Sequence, residues 1–275
     1  MYIWVNLFAL KKILLFFWLL GNSHLILAQE FILRDSLVLN TQDSITDFSA
    51  DDFNHLYYIR NFSELIKINT QTGEKNSFSN QAVLEKLNAQ NTLQITVKSS
   101  LFSILILDNR LNLFQDAIRF PVGSNFSPTL TALVDNNYLW GYDPVLQRLI
   151  LWNYHEKKVF RQSVILNEKT ADEYYSELIY AKDKIYLAGP NKILVFDEFA
   201  NLKESIPFRE FKQIEVENGM LYFTHNQTLY RMNLRFKEIM EIETHTPVDY
   251  FSINSRSLIV LNGKVVYIYD SQNKP

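Results

Sequence analysis

The C-terminal two thirds of the chain repeats one unit, in which two short apolar strands rich in Tyr, Leu and Ile flank a polar turn and are followed by a charged turn. Two copies read IYLAGPNKILVFDEFANLKE from Ile185 and LYFTHNQTLYRMNLRFKE from Leu221. Short apolar runs bounded by turn residues are typical of many short strands rather than helices. An Asp or Asn closes the second strand of each copy: Asn69, Asp116, Asn153, Asp197, Asn233 and Asp270. The spacing of about 40 residues is that of one four-stranded propeller blade.

Each copy extends in both directions to a four-stranded meander with Asn-, Asp- and Gly-rich turns, residues that accept a positive φ or cap a turn. We expect the innermost strands at 45–50, 93–98, 130–135, 177–181, 212–217 and 250–254. We expect the outermost strands at 75–79, 117–122, 159–166, 202–208 and 236–244. The sequence therefore predicts an all-β fold with six blades.

The last copy stops near Asp270, before a fourth strand, while residues 30–40 (EFILRDSLVLN) form a predicted strand without a blade of its own. Pairing of this N-terminal strand into the last blade would close the ring and remove open sheet edges. The predicted propeller domain is thus 29–275. It resembles the six-bladed propellers of the NHL and YWTD group over essentially this whole range. The repeat lacks their diagnostic tetrapeptides, so the resemblance implies the fold.

Residues 1–28 have the layout of a secretory signal peptide. Lys11 and Lys12 precede an apolar run at 13–20, a polar break follows, and the small residue Ala28 precedes Gln29. We expect cleavage after Ala28. An uncleaved anchor is the alternative, because the first ten residues are unusually apolar. The run after the lysines is shorter than the ~20 residues that a spanning helix needs.

The chain contains no cysteine. This excludes disulfides, thiolate zinc sites, a cysteine nucleophile and a lipid-modified cysteine. A cysteine-free exported chain favours a bacterial envelope protein, and the abundance of Asn, Ile, Leu, Phe and Tyr with an Ala-Gln cleavage context resembles exported proteins of the Bacteroidetes. The formal net charge is −3 with both signs interspersed, so no nucleic-acid surface is indicated. We expect the periplasm or the cell surface, with outer-membrane association through a partner.

In a propeller, the connections between blades share a face with the turns between the second and third strands, and this face commonly binds partners. The connection 81–91 is long enough for a short helix, and 123–129 and 167–176 carry aromatic residues. Tolerated loop variation is the alternative interpretation. The candidate binding residues of the rim loops as a whole are Phe62, Phe126, Tyr142, Tyr174, Tyr175 and His225.

Two clusters invite a chemical interpretation. Trp140, Tyr142 and Trp152 could stack on a sugar ring, but their alternation along strands favours core packing. Asp51 and neighbouring carboxylates precede His55, but the calcium-loop pattern is absent and a turn with solvated carboxylates is expected. The sequence has no HExxH, GxSxG, P-loop or GxGxxG pattern. We therefore assign no catalytic residue, metal ligand or cofactor.

The leading hypothesis is a non-enzymatic module that docks an envelope or outer-membrane protein, as an accessory subunit of an outer-membrane assembly. A glycan-binding module that uses Trp140 or Tyr142 is one alternative. The other is a metal-dependent lyase or hydrolase in the central channel, with acids from several inner strands. The acids that this alternative would use are Asp47, Asp135, Glu177, Glu215 and Asp249. The question of enzymatic activity stays open, with the balance toward none.

Overall fold

The computed structural model describes residues 31–91, 93–100, 103–120, 126–166, 174–208 and 210–272. Over these ranges the chain forms 24 strands in six four-stranded antiparallel sheets, and it forms no helix there. The predicted signal peptide lies outside the described residues. In the ranges given, there is accordingly no helix of the length and apolarity needed to cross a membrane.

The blades follow one another along the chain. Blade 1 consists of β2 (Ile45–Ala50), β3 (His55–Arg60), β4 (Glu64–Asn69) and β5 (Lys75–Ser79). Blade 2 consists of β6 (Leu84–Asn88), β7 (Ile95–Ser99), β8 (Ser103–Leu107) and β9 (Ile118–Arg119). Blade 3 consists of β10 (Leu130–Leu133), β11 (Tyr138–Asp143), β12 (Arg148–Asn153) and β13 (Lys158–Gln162).

The second half of the ring has the same order. Blade 4 consists of β14 (Glu177–Ala181), β15 (Lys184–Ala188), β16 (Lys192–Asp197) and β17 (Leu202–Pro207). Blade 5 consists of β18 (Ile214–Glu217), β19 (Met220–His225), β20 (Thr228–Asn233) and β21 (Ile239–Ile242). Blade 6 consists of β22 (Tyr250–Ile253), β23 (Ser257–Asn262), β24 (Val265–Ser271) and β1 (Phe31–Val38). The predicted six-bladed all-β fold is confirmed.

Tight turns set the strand registers. Asn218 and Gly219 join β18 to β19 with φ values of 48° and 76°, and Asn226 and Gln227 join β19 to β20 with φ values of 49° and 62°. Two successive positive φ values characterise the type I′ hairpin, whose twist matches that of the flanking strands. The polar turn residues seen in the sequence therefore produce the meander directly.

The N-terminal strand closes the ring as predicted. β1 pairs antiparallel with β24 from Phe31 opposite Ser271 to Val38 opposite Val265, with an irregularity between Leu33 and Asp35. Phe31 is buried in the same apolar cluster as Tyr222 of blade 5. Closure therefore uses side-chain packing as well as main-chain hydrogen bonds.

In blade 2 the predicted innermost strand and the residue predicted to close the third strand are wrong, whereas the predicted outermost strand 117–122 contains β9. The innermost strand is β6, which lies inside the 81–91 segment that was expected to be a loop or short helix, and the predicted inner strand 93–98 corresponds to the second strand β7. Asp108, not Asp116, follows the third strand. β6 reads LEKLN and has a register shift between Leu84 and Lys86, so its apolar residues do not alternate. The hydrophobic signal of an ordinary strand is absent for this reason.

The core lies between neighbouring blades. Trp140 is 1% exposed among side chains of blades 3 and 4, and Trp152 is 2% exposed among side chains of blades 2 and 3. This burial confirms the expected packing role of both tryptophans. Large aromatic rings fill the widening space between splayed sheets, where each buries a large apolar area.

Candidate functional site

The turns between second and third strands and the connections between blades lie on one face, here called the rim face. Phe62 projects from the β3–β4 turn and is 51% exposed, and Tyr174 lies in the connection to blade 4 and is 60% exposed. His225 ends β19 and is half-buried, with its Nδ1 2.8 Å from the carbonyl oxygen of Glu210. These three candidates belong to different parts of the rim face, and a binding role for them stays a prediction.

The other three candidates are buried side chains. The ring of Phe126 meets Trp152 at 5.8 Å between centroids, and the ring of Tyr142 meets Tyr175 edge to face at 5.0 Å. Both arrangements are those of packed aromatic pairs. The structure therefore brings Tyr142 and Tyr175 together inside the core between blades 3 and 4.

An exposed aliphatic surface on blade 3 was missed by the sequence analysis. It consists of Val145 and Leu146 in the β11–β12 turn and of Val164 and Ile165 just after β13, and we call it the aliphatic rim patch. The exposed fractions are 85%, 38%, 73% and 55%, respectively. Residues 159–166 were predicted as one strand, but β13 ends at Gln162, so the apolar pair beyond it lies on the rim face instead.

Buried polar side chains fix the backbone of this patch. Asp143, which is buried, accepts hydrogen bonds through Oδ1 from the backbone N–H groups of Val145 at 2.8 Å and Leu146 at 2.9 Å. Its Oδ2 accepts another from the N–H of Ser127 in the preceding connection. An aspartate that bonds the N–H groups two and three residues ahead is a common way to rigidify a turn. The first half of the patch is thus preorganised.

The second half is fixed by Ser163, which is also buried. Its Oγ accepts a hydrogen bond from the N–H of Leu149 at 3.0 Å and donates one to the carbonyl oxygen of Val164 at 2.8 Å. The N–H of Leu166 donates to the carbonyl oxygen of Gln147 at 2.9 Å. These bonds hold the segment after β13 against the β11–β12 turn, so the two aliphatic pairs lie on neighbouring segments of the rim face.

The ring encloses a central channel with a cavity of about 670 Å³, lined by the inner strands of blades 1 to 5. Three of the five acids proposed for this channel line the cavity, namely Asp47, Glu177 and Glu215. Asp135 instead accepts hydrogen bonds from the N–H groups at the start of β11, and Asp249 accepts one from the N–H of Gly263. The latter two carboxylates thus cap turns.

A lysine that the sequence analysis did not identify crosses the channel. Lys86 of β6 donates a hydrogen bond through Nζ to Oε1 of Glu177 in β14 at 2.7 Å. Burial by itself would lower the pKa of Lys86, but the carboxylates of Glu177 and Asp47 outweigh burial and the net pKa is raised. Lys86 is therefore an ammonium ion at neutral pH. The sequence did not indicate Lys86 as a channel residue because β6, the strand that carries it, was not predicted.

Glu215 lies opposite β6 and accepts hydrogen bonds only from neutral donors among the described contacts. They are the N–H of Ile253 at 2.9 Å, Nε2 of Gln90 at 3.1 Å and Nε2 of Gln213 at 3.2 Å. Burial raises the pKa of Glu215 to about 8, because the hydrogen bonds and Lys86 only partly offset the loss of hydration and Asp47 adds repulsion. Burial likewise raises the pKa of Asp47.

Several polar side chains of the inner strands bind the backbone of the next blade. Asp47 accepts the N–H of Leu87 at 2.6 Å, and Ser49 accepts the N–H of Ala89 at 3.1 Å. Gln213 both donates to the carbonyl oxygen of Phe251 at 2.6 Å and accepts its N–H at 3.0 Å. Since these bonds satisfy backbone groups at the channel wall, they help to hold the ring together.

The expectation of solvated carboxylates near His55 is corrected by the structure. Asp51 is 1% exposed and accepts the N–H groups of Phe53 at 2.8 Å and His55 at 3.0 Å. Its Oδ2 lies 2.8 Å from Nδ1 of His55 and accepts the hydroxyl of Tyr57 at 3.0 Å. This network is a satisfied part of the core. In the described ranges, no group of three His, Cys, Asp or Glu side chains is arranged to hold a metal ion.

Comparisons with known proteins address the fold. No family model matches the chain, and no curated protein matches it. Among solved structures it is similar to BamB from Moraxella catarrhalis, at 9% identity over 87% of this chain and 99% of that one with a TM-score of 0.50. It is similar to a protein of unknown function from Bacteroides thetaiotaomicron VPI-5482, at 9% identity over 88% and 72% with a TM-score of 0.62.

A third similar structure is that of a streptogramin B lyase, at 15% identity over 88% of each chain with a TM-score of 0.56. At such identities the likeness concerns architecture, since one fold hosts many functions. The strand order and the closure by β1 define the architecture, and the three similar structures support it at the level of the fold. The chain is an all-β, six-bladed propeller.

Proposed function

We propose that this chain is a non-enzymatic protein-interaction module of the bacterial envelope, which docks through the aliphatic rim patch onto another envelope protein as an accessory subunit of an outer-membrane assembly. The observation that carries the proposal is the exposure of Val145, Leu146, Val164 and Ile165 on two neighbouring segments of the rim face, which hydrogen bonds hold together. Contiguous exposed apolar surface is a mark of protein interaction sites.

The patch has two properties that favour binding. Burial of apolar surface contributes roughly 25 cal/mol per Å², so four aliphatic side chains form a sizeable driving force. The turn is already fixed by Asp143 and Ser163, so little conformational entropy is lost on association. Tyr174 on the same face supplies an aromatic side chain of the type that often anchors interfaces.

The envelope location rests on other observations. The signal-peptide pattern of residues 1–28 and the absence of cysteine favour export in a bacterium. The fold is shared with BamB of Moraxella catarrhalis, a likeness of architecture. Membrane association would pass through the partner, and the partner that we propose is an outer-membrane protein.

The described contacts give the alternatives less support. The glycan-binding alternative relied on Trp140 and Tyr142, and both side chains are buried. The metal-dependent alternative needs ligands that converge, and the part of the chain that the structure describes contains no such group of three. The similarity to a streptogramin B lyase concerns the fold.

Site-specific photo-crosslinking in native membranes tests the proposal. A benzoylphenylalanine at Val145 should crosslink to one outer-membrane protein, whereas the same probe at Phe236, which is 62% exposed on the opposite face, should not. Ile165→Glu should abolish the crosslink and Phe236→Glu should leave it intact. Equal crosslinking from both positions, or survival of the crosslink in Ile165→Glu, would overturn the proposal.

A further inference from the structure

We propose that the central channel binds an extended organic cation of the di- or polyamine class, held between the carboxylates of β2, β14 and β18. This site is separate from the aliphatic rim patch and does not depend on the proposed docking function. It combines a cavity of about 670 Å³, open to solvent at the channel mouth, with fixed charges on its wall. Cavities of roughly 300–1,000 Å³ are the usual size of small-molecule sites.

The charge balance of the cavity favours a cation. Five acids and three lysines line it, and two of the lysines form ion pairs there: Lys86 with Glu177 at 2.7 Å and Lys98 with Glu85 at 3.1 Å. The remaining acids of the lining are Asp47, Glu215 and Glu217, and the remaining lysine is Lys182. The hydrogen bonds that Asp47 and Glu215 accept come from amide groups. Asp47 and Glu215 thus have neutral hydrogen-bond donors, and Lys86 acts on both as a nearby charge without a direct hydrogen bond among the described contacts. Ionising such buried acids is costly, and a guest ammonium would offset that cost.

The protonation behaviour agrees with this balance. Burial raises the pKa of both Asp47 and Glu215, the latter to about 8. A cation bound beside Glu215 would favour its ionised form and would release a proton at neutral pH. Binding of an amine in the channel should therefore release protons, whereas simple adsorption to the surface should not.

The spacing of the acids favours an extended cation over a metal ion. The carboxylates sit on inner strands of blades 1, 4 and 5, and the described residues contain no group of three such ligands close enough for a metal. The cavity wall contributed by β10 between blades 2 and 4 consists of uncharged residues, Thr129 to Val134. Ammonium groups separated by methylene carbons match separated carboxylates beside an uncharged wall.

Calorimetric titration of the purified chain with spermidine tests the proposal. We expect saturable one-site binding, with release of a fraction of a proton, up to about 0.8, at pH 7.5, read from the dependence of the enthalpy on the buffer. Glu215→Gln, which keeps an acceptor for the N–H of Ile253, should weaken binding by about tenfold and remove the proton release. Glu241→Gln, on the exposed outer strand β21, is the matched control and should bind as the unmodified chain does.

A second variant, for which the opposite change in affinity is expected, makes the test independent of Glu215. Lys86→Gln removes the internal ammonium that competes for the carboxylates, so we expect it to bind spermidine more tightly. Circular dichroism and thermal melts confirm that each variant is folded, and Val145→Glu should leave amine binding unchanged. The proposal is wrong if saturable binding is absent up to about 10 mM, a range corresponding to the weakest specific affinities. It is also wrong if Glu241→Gln weakens binding as much as Glu215→Gln, or if Lys86→Gln weakens it.

Discussion

Blades 2 and 4 contain the same kind of turn after their third strands but differ in their innermost strands. In blade 2, Oδ1 of Asp108 accepts the N–H groups of Arg110 and Asn112, both at 2.8 Å. In blade 4, Oδ1 of Asp197 accepts those of Phe199 at 3.0 Å and Asn201 at 2.8 Å. The residue before each asparagine has a positive φ, 65° in blade 2 and 63° in blade 4. The two turns are built from the same Asp-x-x-x-Asn pattern.

The inner strands are not alike. β14 of blade 4 reads ELIYA and lies where the sequence predicts it, whereas β6 of blade 2 reads LEKLN and was missed. Blade 2 supplies the donors Lys86 and Gln90, which reach carboxylates on blades 4 and 5. The comparison teaches that turn chemistry is local and readable, while the polarity of an inner strand depends on what faces it across the channel.

The largest expected effect tests whether β6 is a true inner strand. Leu87 is 4% exposed and packs with Leu84 and Val97, so Leu87→Ala should lower the free energy of unfolding by about 3 kcal/mol through lost burial and a cavity. Val83→Ala, four residues away and half exposed, should change it by less than about 0.5 kcal/mol. Denaturant unfolding measures both. If both variants change the free energy of unfolding equally little, the 81–91 segment is a surface loop and β6 is not an inner strand.

A second prediction concerns the carboxylate that blade 2 faces across the channel. The pKa of Glu215 rises from its usual 4.5 to about 8 in the folded chain. The folded state then keeps a proton that the unfolded state loses, so stability is full below pH 4.5 and falls as the pH rises through 8. Glu215→Gln should lack this decline and gain about 2 kcal/mol relative to the unmodified chain between pH 5 and pH 9. This is about half of what the full shift implies, because Glu215 is only partly buried and solvent in the channel screens the charge.

Urea unfolding across that pH range measures the difference. Glu241→Gln on the outer strand β21 should follow the unmodified chain at every pH, because its side chain lies away from the channel. If the free energy of unfolding of Glu215→Gln has the same pH dependence as that of the unmodified chain, the Glu215 carboxylate is ionised in the folded state. The polar strand β6 would then face a charged rather than a neutral partner.

The smallest expected effect tests the shared turn. Asp108→Ala and Asp197→Ala remove equivalent hydrogen bonds, so the two variants should lower Tm by similar small amounts, about 2–4 °C each. Differential scanning calorimetry compares them. A clearly larger loss for one variant would mean that the two turns are not equivalent in energy despite their common geometry.

Much of the fold followed from the sequence because its causes are local. Asn218-Gly219 and Asp197 with Asn201 determine turns through their own backbone and side-chain preferences. The strand at 30–40 was expected to close blade 6 because the last repeat lacks a strand, and β1 does so. Alternating apolar residues located the inner strands of blades 1, 3, 4, 5 and 6 near their observed positions.

The candidate binding sites could be predicted from the sequence to a much smaller extent. The rim candidates were chosen as aromatic residues in loops, but Phe126, Tyr142 and Tyr175 are buried, since an aromatic ring near a strand end packs between blades as readily as it faces solvent. Residue type alone does not distinguish the two. The exposed pair Val164 and Ile165 has the sequence of a strand, and only the end of β13 at Gln162 places it on the rim face.

The sequence by itself determined the number of blades, the turns and the closure, because these depend on spacing and on short-range conformational preference. Tertiary structure alone decided which charged residues meet in the channel. Lys86 and Glu177 are 91 positions apart in the sequence and lie on blades 2 and 4, with blade 3 between them. Nevertheless, Nζ of Lys86 is 2.7 Å from Oε1 of Glu177. Such a contact depends on how six sheets close around an axis, and no local pattern in the chain encodes that geometry.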